Sequence, residues 1–229
     1  MTSAGGGRPL TIAHRFGNDI ARLREAEAAG VDLVEADVWL HRGRLQVRHE
    51  KSLGPLPFYW DRWSLRPAWR PVLGLEEMLA ALSPRTGVML DLKGRAPGFP
   101  EALLRALEPH DGERTFMVSA RLWSYLPSLR ALPHLLLFHS IGTEGQLERV
   151  RPLLKDREHD AVSIHYRLLD DETVAWLRDH VHLIATWPIN DERRLEHVLR
   201  WGIGAIIADD LEILGRVTGT ASRRAMRTG

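Results

Sequence analysis

Two carboxylates stand two residues apart inside an otherwise apolar run, "LVEADVWL" at 33–40. Side chains of a β-strand alternate between faces, so Glu35 and Asp37 share one face while Val34, Ala36 and Val38 share the other. Like charges side by side repel and are costly to bury without a positive partner. The stretch "LDLKG" repeats the spacing with Asp91 and Lys93. Together Glu35, Asp37 and Asp91 form a hard oxygen set suited to Mg2+ or Ca2+. A divalent cation relieves their repulsion and holds an anionic substrate. His14 and Arg15 adjoin in "AHRF", and His49 stands in "VRHE". Arg15 and Lys93 suit phosphate oxygens, Arg as a fork and Lys as a point charge. His14 and His49 suit general acid and base work near neutral pH. Metal, cations and imidazoles together suit displacement at phosphorus. The competing reading makes Glu35 and Asp37 a solvated strand face, or salt-bridge partners of nearby arginines.

These residues have to be brought together by a fold. Apolar strand-like runs at 10–14, 32–40, 87–94, 115–120, 134–142, 160–166, 181–189 and 203–210 alternate with amphipathic helical stretches. The first helix begins at the N-cap candidate Asp19 and stops at Gly30. Many of the strands are continuously apolar, as expected when both faces are covered. Repeated strand–helix units imply a parallel sheet, and eight of them fit a closed (β/α)8 TIM barrel in the α/β class. An open doubly wound sheet would carry a Gly-rich phosphate loop after the first strand, and "AHRFGND" is not one. In a barrel, chemistry gathers at the C-terminal strand ends. His14, Glu35, Asp37, Asp91, Lys93, His165, Trp187, Asn190, Asp209 and Asp210 all map there. Trp187 is assigned to the pocket wall beside the substrate. His165 and Asp209 are read as structural.

The chain has 229 residues, 44% hydrophobic and 27% charged, with net charge +1 and no cysteine. Near-neutral charge gives no footprint for nucleic acid. The absence of cysteine excludes disulfides and a thiolate zinc site. No run approaches the roughly 20 apolar residues of a membrane span, and the N-terminus lacks an apolar signal core. A cytoplasmic protein is expected. One barrel domain over 10–217 is expected between flexible ends at 1–9 and 218–229.

At these residues the chain resembles the glycerophosphodiester phosphodiesterases, within the wider group of phosphatidylinositol-phospholipase-C-like barrels. The motifs run in order: "AHRF" for His-Arg-Gly, "AEAAGVD" for Ala-x-x-x-Gly-x-Asp, and Glu35 with Asp37 for Glu-x-Asp. "RGRLQVRHE" stands for the returning strand that ends in His-Asp, and "RPVLGLEEML" for the Pro-x-Leu-x-Glu helix entry. "LDLKG", "WPIN" and "IIADD" match the later motifs. The resemblance implies metal ligands Glu35, Asp37 and Asp91 and a catalytic pair His14 and His49. It also implies a route in which a hydroxyl of the substrate's own glycerol attacks phosphorus and forms a cyclic phosphate. The chain departs from the pattern at Phe16 for Gly, Gly17 for Glu, Glu50 for Asp and Asp91 for Glu. The expected activity is hydrolysis of small glycerophosphodiesters to glycerol phosphate and an alcohol. The alternatives are cleavage of lipid or lysolipid diesters, and a non-catalytic barrel that binds phosphorylated ligands. Within the irregular piece at 51–71, the loop at 58–69 carries Phe58, Tyr59, Trp60, Trp63 and Trp69. So aromatic a surface loop needs cover, from its own packing, an apolar part of the substrate, or peripheral contact with lipid.

Overall fold

The computed structural model describes residues 7–54, 56–61, 64–154 and 160–219. Eight parallel strands among them form the expected (β/α)8 barrel: β1 (Leu10–Ala13), β2 (Leu33–His41), β7 (Gly87–Lys93), β8 (Phe116–Ala120), β9 (Leu135–Ile141), β10 (Asp160–His165), β11 (Leu183–Trp187) and β12 (Ala205–Ala208). Each pairs with the next, and β1 pairs with both β12 and β2, which closes the ring. Helices α1 (Ile20–Ala29) through α8 (Leu211–Thr218) follow the strands in turn. Described residues contain no helix long and apolar enough to cross a membrane.

Strand alternation sorts the side chains as the sequence pattern requires. Val34, Ala36 and Val38 are fully buried in the layer between barrel and helices. Leu33, Met89, Met117, Phe138 and Ile207 fill the barrel interior. Further along the same inward rows, apolar residues give way to polar ones. The register puts Asp37 opposite Asp91, and Asp91 opposite Ser119. The barrel is therefore a packed plug below and a polar bowl above.

The opposite end is fastened by Asp32, just before β2. Its carboxylate accepts both ends of the Arg8 guanidinium, at 2.6 and 2.8 Å, and the Thr11 backbone N–H at 2.8 Å. Burial pushes the Asp32 carboxyl up, but the Arg8 fork and the Thr11 bonds outweigh it and hold it below 3.8.

Three regions differ from the sequence pattern. The irregular piece at 51–71 contains an antiparallel sheet of β4 (Lys51–Ser52), β5 (Phe58–Asp61) and β6 (Ser64–Pro67), reached through β3 (Arg44–Val47). Its strands are too short to show periodicity, and their pairing lies in tertiary contacts. Trp63 of the aromatic group lies outside the described residues, as do 1–6 and 220–229, which hold most of both expected flexible ends. The helical stretch at 122–132 shrinks to a 3-10 turn and the single turn α4 (Leu126–Leu129), because Pro127 provides no N–H and sits at the helix start. A final helix, α8, starts on Asp210, whose side chain accepts from Glu212 N and Ile213 N.

Candidate active site

The turn after β1 lies directly on β2, and Gly17 makes this possible. A Cβ at residue 17 would stand 2.8 Å from Ala36 Cβ and 3.0 Å from the Glu35 carbonyl oxygen, closer than such atoms approach. Arg15 takes a left-handed conformation, φ 60°, which turns its backbone N–H onto Glu35 Oε2 at 2.7 Å. Asn18 reads Asp37 from both sides. Its Nδ2 donates to Asp37 Oδ2 at 2.7 Å, and its Oδ1 accepts the Asp37 N–H at 2.8 Å. Phe16, the departure from the family glycine, is buried in the helix layer with the Arg22 guanidinium 4.1 Å above its ring.

Glu35, Asp37 and Asp91 converge as the strand registers require, each offering an oxygen within 4.8 Å of the others. Glu35 and Asp37 are buried. Lys93 stands among them, with its Nζ 2.8 Å from Asp37 Oδ1 and in contact with Asp91 Oδ2. One ammonium does not balance three carboxylates. Burial first, and Asp37 second, push the Glu35 carboxyl up to about 8. Burial also opposes ionisation of Asp37, but Lys93 and Asn18 keep it below the usual carboxylate range. Burial works against the charged form of Lys93, yet Asp91 and Asp37 hold its pKa above the ordinary value. Asp37 Oδ1 and Asp91 Oδ1 are buried with no hydrogen-bond partner; the approach of Lys93 to Asp37 Oδ1 is an ion pair without hydrogen-bond geometry. Three carboxylates that each bring an oxygen within 4.8 Å of the others, two of them with a buried oxygen that lacks a hydrogen bond, fit a hard divalent cation.

Each predicted histidine is gripped at Nδ1 by a carboxylate. His14 Nδ1 lies 2.7 Å from Asp209 Oδ1, and Asn190 Nδ2 donates to Asp209 Oδ2 at 2.8 Å. His14 Nε2 is 4.0 Å from Glu35 Oε2, which places it at the edge of the carboxylate group. The hydrogen bond from His14 holds Asp209 at about 2, so it is ionised at neutral pH. Burial disfavours the charged His14 ring, but the Asp209 bond and the proximity of Glu35 outweigh it and raise its pKa. His49 Nδ1 lies 2.8 Å from Asp61 Oδ2 on β5. An ionised carboxylate only accepts, so Nδ1 carries the proton and Nε2 is the atom left for a substrate.

His49, Asp61, Arg15 and Asn18 line a cleft of about 690 Å³. The Arg15 guanidinium reaches back to Asp37, with Nε 3.6 Å from Oδ2. Trp187 belongs to the other side of the ring, where it packs edge-on against His165 with centroids 4.7 Å apart. Asn18, Asp61 and Asn190 are polar partners that residue types alone did not assign, and Asp209 holds a histidine rather than serving the scaffold alone. Asn190 and Asp209 stand at strand ends, where the sequence pattern already puts them, but their link to each other and to His14 comes from the fold. Asp61 sits outside any periodic element and gave none.

No protein-family model matches the chain. It is 23% identical over 243 residues to a glycerophosphodiester phosphodiesterase of Caldanaerobacter subterraneus subsp. tengcongensis, covering 90% of this chain and 96% of that one. A phosphodiesterase of Oleispira antarctica, solved in complex with the product sn-glycerol-3-phosphate, superposes with TM-score 0.71 and 21% identity over 94% of this chain and 97% of that one. The glycerophosphodiester phosphodiesterase of Thermotoga maritima gives TM-score 0.69 and 18% identity over 93% and 100%. That of Parabacteroides distasonis gives 0.71 and 17% over 96% and 100%. In fold, and in sequence along nine-tenths of its length, the chain is similar to the glycerophosphodiester phosphodiesterases.

Proposed function

We propose that the chain is a divalent-metal-dependent phosphodiesterase that cleaves glycerophosphodiesters to glycerol phosphate and an alcohol. The observation that carries this is the meeting of three carboxylates beside a histidine gripped by a carboxylate, at the mouth of a barrel shared with phosphodiesterases. A second such histidine, His49, lines the adjoining cleft. The glycerol phosphate named as product of the Oleispira relative supports the same substrate class.

Glu35, Asp37 and Asp91 would hold Mg2+ or Ca2+, which when bound supplies positive charge to the phosphate oxygens. Arg15 adds a guanidinium on the cleft wall. The attacking oxygen is a hydroxyl of the substrate's own glycerol, held close by the intramolecular connection. As its bond to phosphorus forms, one imidazole takes its proton at Nε2. The bond from phosphorus to the leaving alcohol breaks, and the other ring, which starts as the imidazolium, gives that oxygen a proton from Nε2. Water then opens the cyclic phosphate. Asp209 and Asp61 each accept from Nδ1, which leaves Nε2 of the neutral ring to take a proton and Nε2–H of the imidazolium to give one.

The test is a set of glycerophosphodiesters differing in headgroup, with a matched diester lacking the neighbouring hydroxyl, followed by phosphorus NMR with Mg2+ or Ca2+. Cleavage of the hydroxyl-bearing diesters, with a cyclic species in wild type or a slowed variant, is expected. His14→Ala and His49→Ala should each lower turnover by about 10²-fold or more. Equal rates on the deoxy analogue would replace the cyclic route with attack by water. Inactivity on every diester, with or without metal, would overturn the phosphodiesterase reading.

A further inference from the structure

The small sheet after β3 has two unlike faces. Residues directly opposite one another on paired strands share a face. Tyr59 opposes Arg66 and Ser52, and this face turns inward: Tyr59 is buried, Asp61 holds His49, and Arg66 pairs with Glu50 at 3.0 Å. Trp60 opposes Leu65 on one side and Lys51 on the other, and this face turns to solvent. Leu65 is 59% exposed, and Trp69, set edge-on against Phe58, is 71% exposed. Four of the six large hydrophobic side chains exposed among the described residues, Leu56, Trp60, Leu65 and Trp69, belong to this one insertion. Such a cluster is not the scatter of single apolar residues that any surface carries.

We propose that this outer face docks on an anionic phospholipid bilayer. Charge supports that occupant. From Lys51 to Pro71 the chain has four basic residues and one acidic residue, Asp61, and Asp61 faces inward onto His49. Lys51 shares the outer face with Trp60, and Arg70 follows Trp69; both are exposed. Tryptophan rings beside cationic side chains match the boundary between headgroups and acyl chains, where the ring enters the interface and the cation meets phosphate. A second copy fits less well. A two-fold contact sets the same patch against itself, which brings Lys51 and Arg70 of each copy toward like charges. Docking here lays the cleft containing His49 one sheet's thickness from the lipid surface. The inference goes beyond the phosphodiesterase reading, and binding is measured without any turnover.

The test is co-sedimentation of the full chain with vesicles of phosphatidylcholine alone and of phosphatidylcholine with phosphatidylglycerol in equal parts. Tryptophan emission is followed in the same mixtures. Binding to the anionic vesicles, a blue shift on binding, and roughly tenfold weakening by added salt are expected. The double variant Trp60→Ser, Trp69→Ser should lose about tenfold or more in binding. Lys51→Glu with Arg70→Glu, which leaves the aromatic residues in place, should lose binding to the anionic vesicles alone. Far-UV circular dichroism and melting temperature should match wild type in both. Failure to bind either vesicle, or unchanged binding in both variants, would overturn the proposal. So would light scattering that shows a dimer dispersed by the same substitutions without vesicle binding. That result would assign the patch to a second copy.

Discussion

His49 Nδ1 lies 2.8 Å from Asp61 Oδ2, so the conformation of one predicted catalytic residue, in the link between β3 and β4, is set by a side chain of the small sheet rather than of the barrel. β5 carries Asp61 across from the barrel wall and fixes which nitrogen of His49 faces the cleft. Asp61→Asn offers the ring an amide in place of an ion and weakens that choice. Turnover should fall by about tenfold or more while KM moves little, and the pH–rate profile should shift with it. Steady-state kinetics across pH check this, and an unchanged profile would make Asp61 a purely structural partner.

Gly17 predicts a steric effect. An added methyl meets Ala36 Cβ at 2.8 Å and the backbone of Glu35, neither of which is free to move far. Gly17→Ala should lift the turn from β2, loosening the Arg15 N–H bond to Glu35 and the Asn18 pair on Asp37. A loss of about 1–3 kcal/mol in stability is expected, with reduced activity. Asn18→Ala removes the pair alone, leaves the Asp37 N–H unpaired, and should show a similar loss. Thermal melts of both variants beside wild type decide it. Wild-type stability in Gly17→Ala would mean that the turn relaxes at no cost.

The carboxylate group predicts a response to metal. An ion that binds only the folded chain raises its melting temperature in a concentration-dependent way. Mg2+ or Ca2+ should stabilise the wild-type chain, and chelator should remove both that gain and the activity. Glu35→Gln keeps the shape but removes a ligand charge, so it should fold and show little of either response. Full activity in excess chelator would refute the metal reading.

Asp32 predicts pH dependence at the far end of the barrel. Its carboxyl is held below the 3.8 of a free group. A depressed carboxyl contributes stability that is fully present above the unfolded value and is lost as pH falls through the lower folded value. Asp32→Asn should therefore be less stable than wild type near neutral pH, by about 1–3 kcal/mol. The gap should close as pH drops below 3.8. Denaturant melts of the pair across that range measure it, and a gap that stays constant into acid would show that the ionised form contributes nothing.

Much of this protein is written in local pattern. The eight strands and most of the helices between them can be read because period-two and helical spacing are properties of neighbouring residues, and the caps Asp19 and Gly30 fall where the sequence puts them. The convergence of Glu35, Asp37 and Asp91 is also legible. Strand alternation puts each carboxylate on an inward row, and closing the barrel brings β2 beside β7 in a register that sets Asp37 against Asp91. Residue type suggests His14 and His49 as acid and base, and the resemblance to a family implies the same two.

What holds those residues is not local. Lys93 and Asp37 are 56 positions apart in the chain and His14 and Asp209 are 195 apart, and no periodicity links either pair. Glu35 ionises as it does because burial and a neighbour act together, and burial exists only after the barrel closes. The insertion is the extreme case. Its strands of two to four residues carry no readable period, so the sequence alone gave a run of aromatic residues, and only the pairing of β5 with β4 and β6 separated the face that grips His49 from the face that meets solvent.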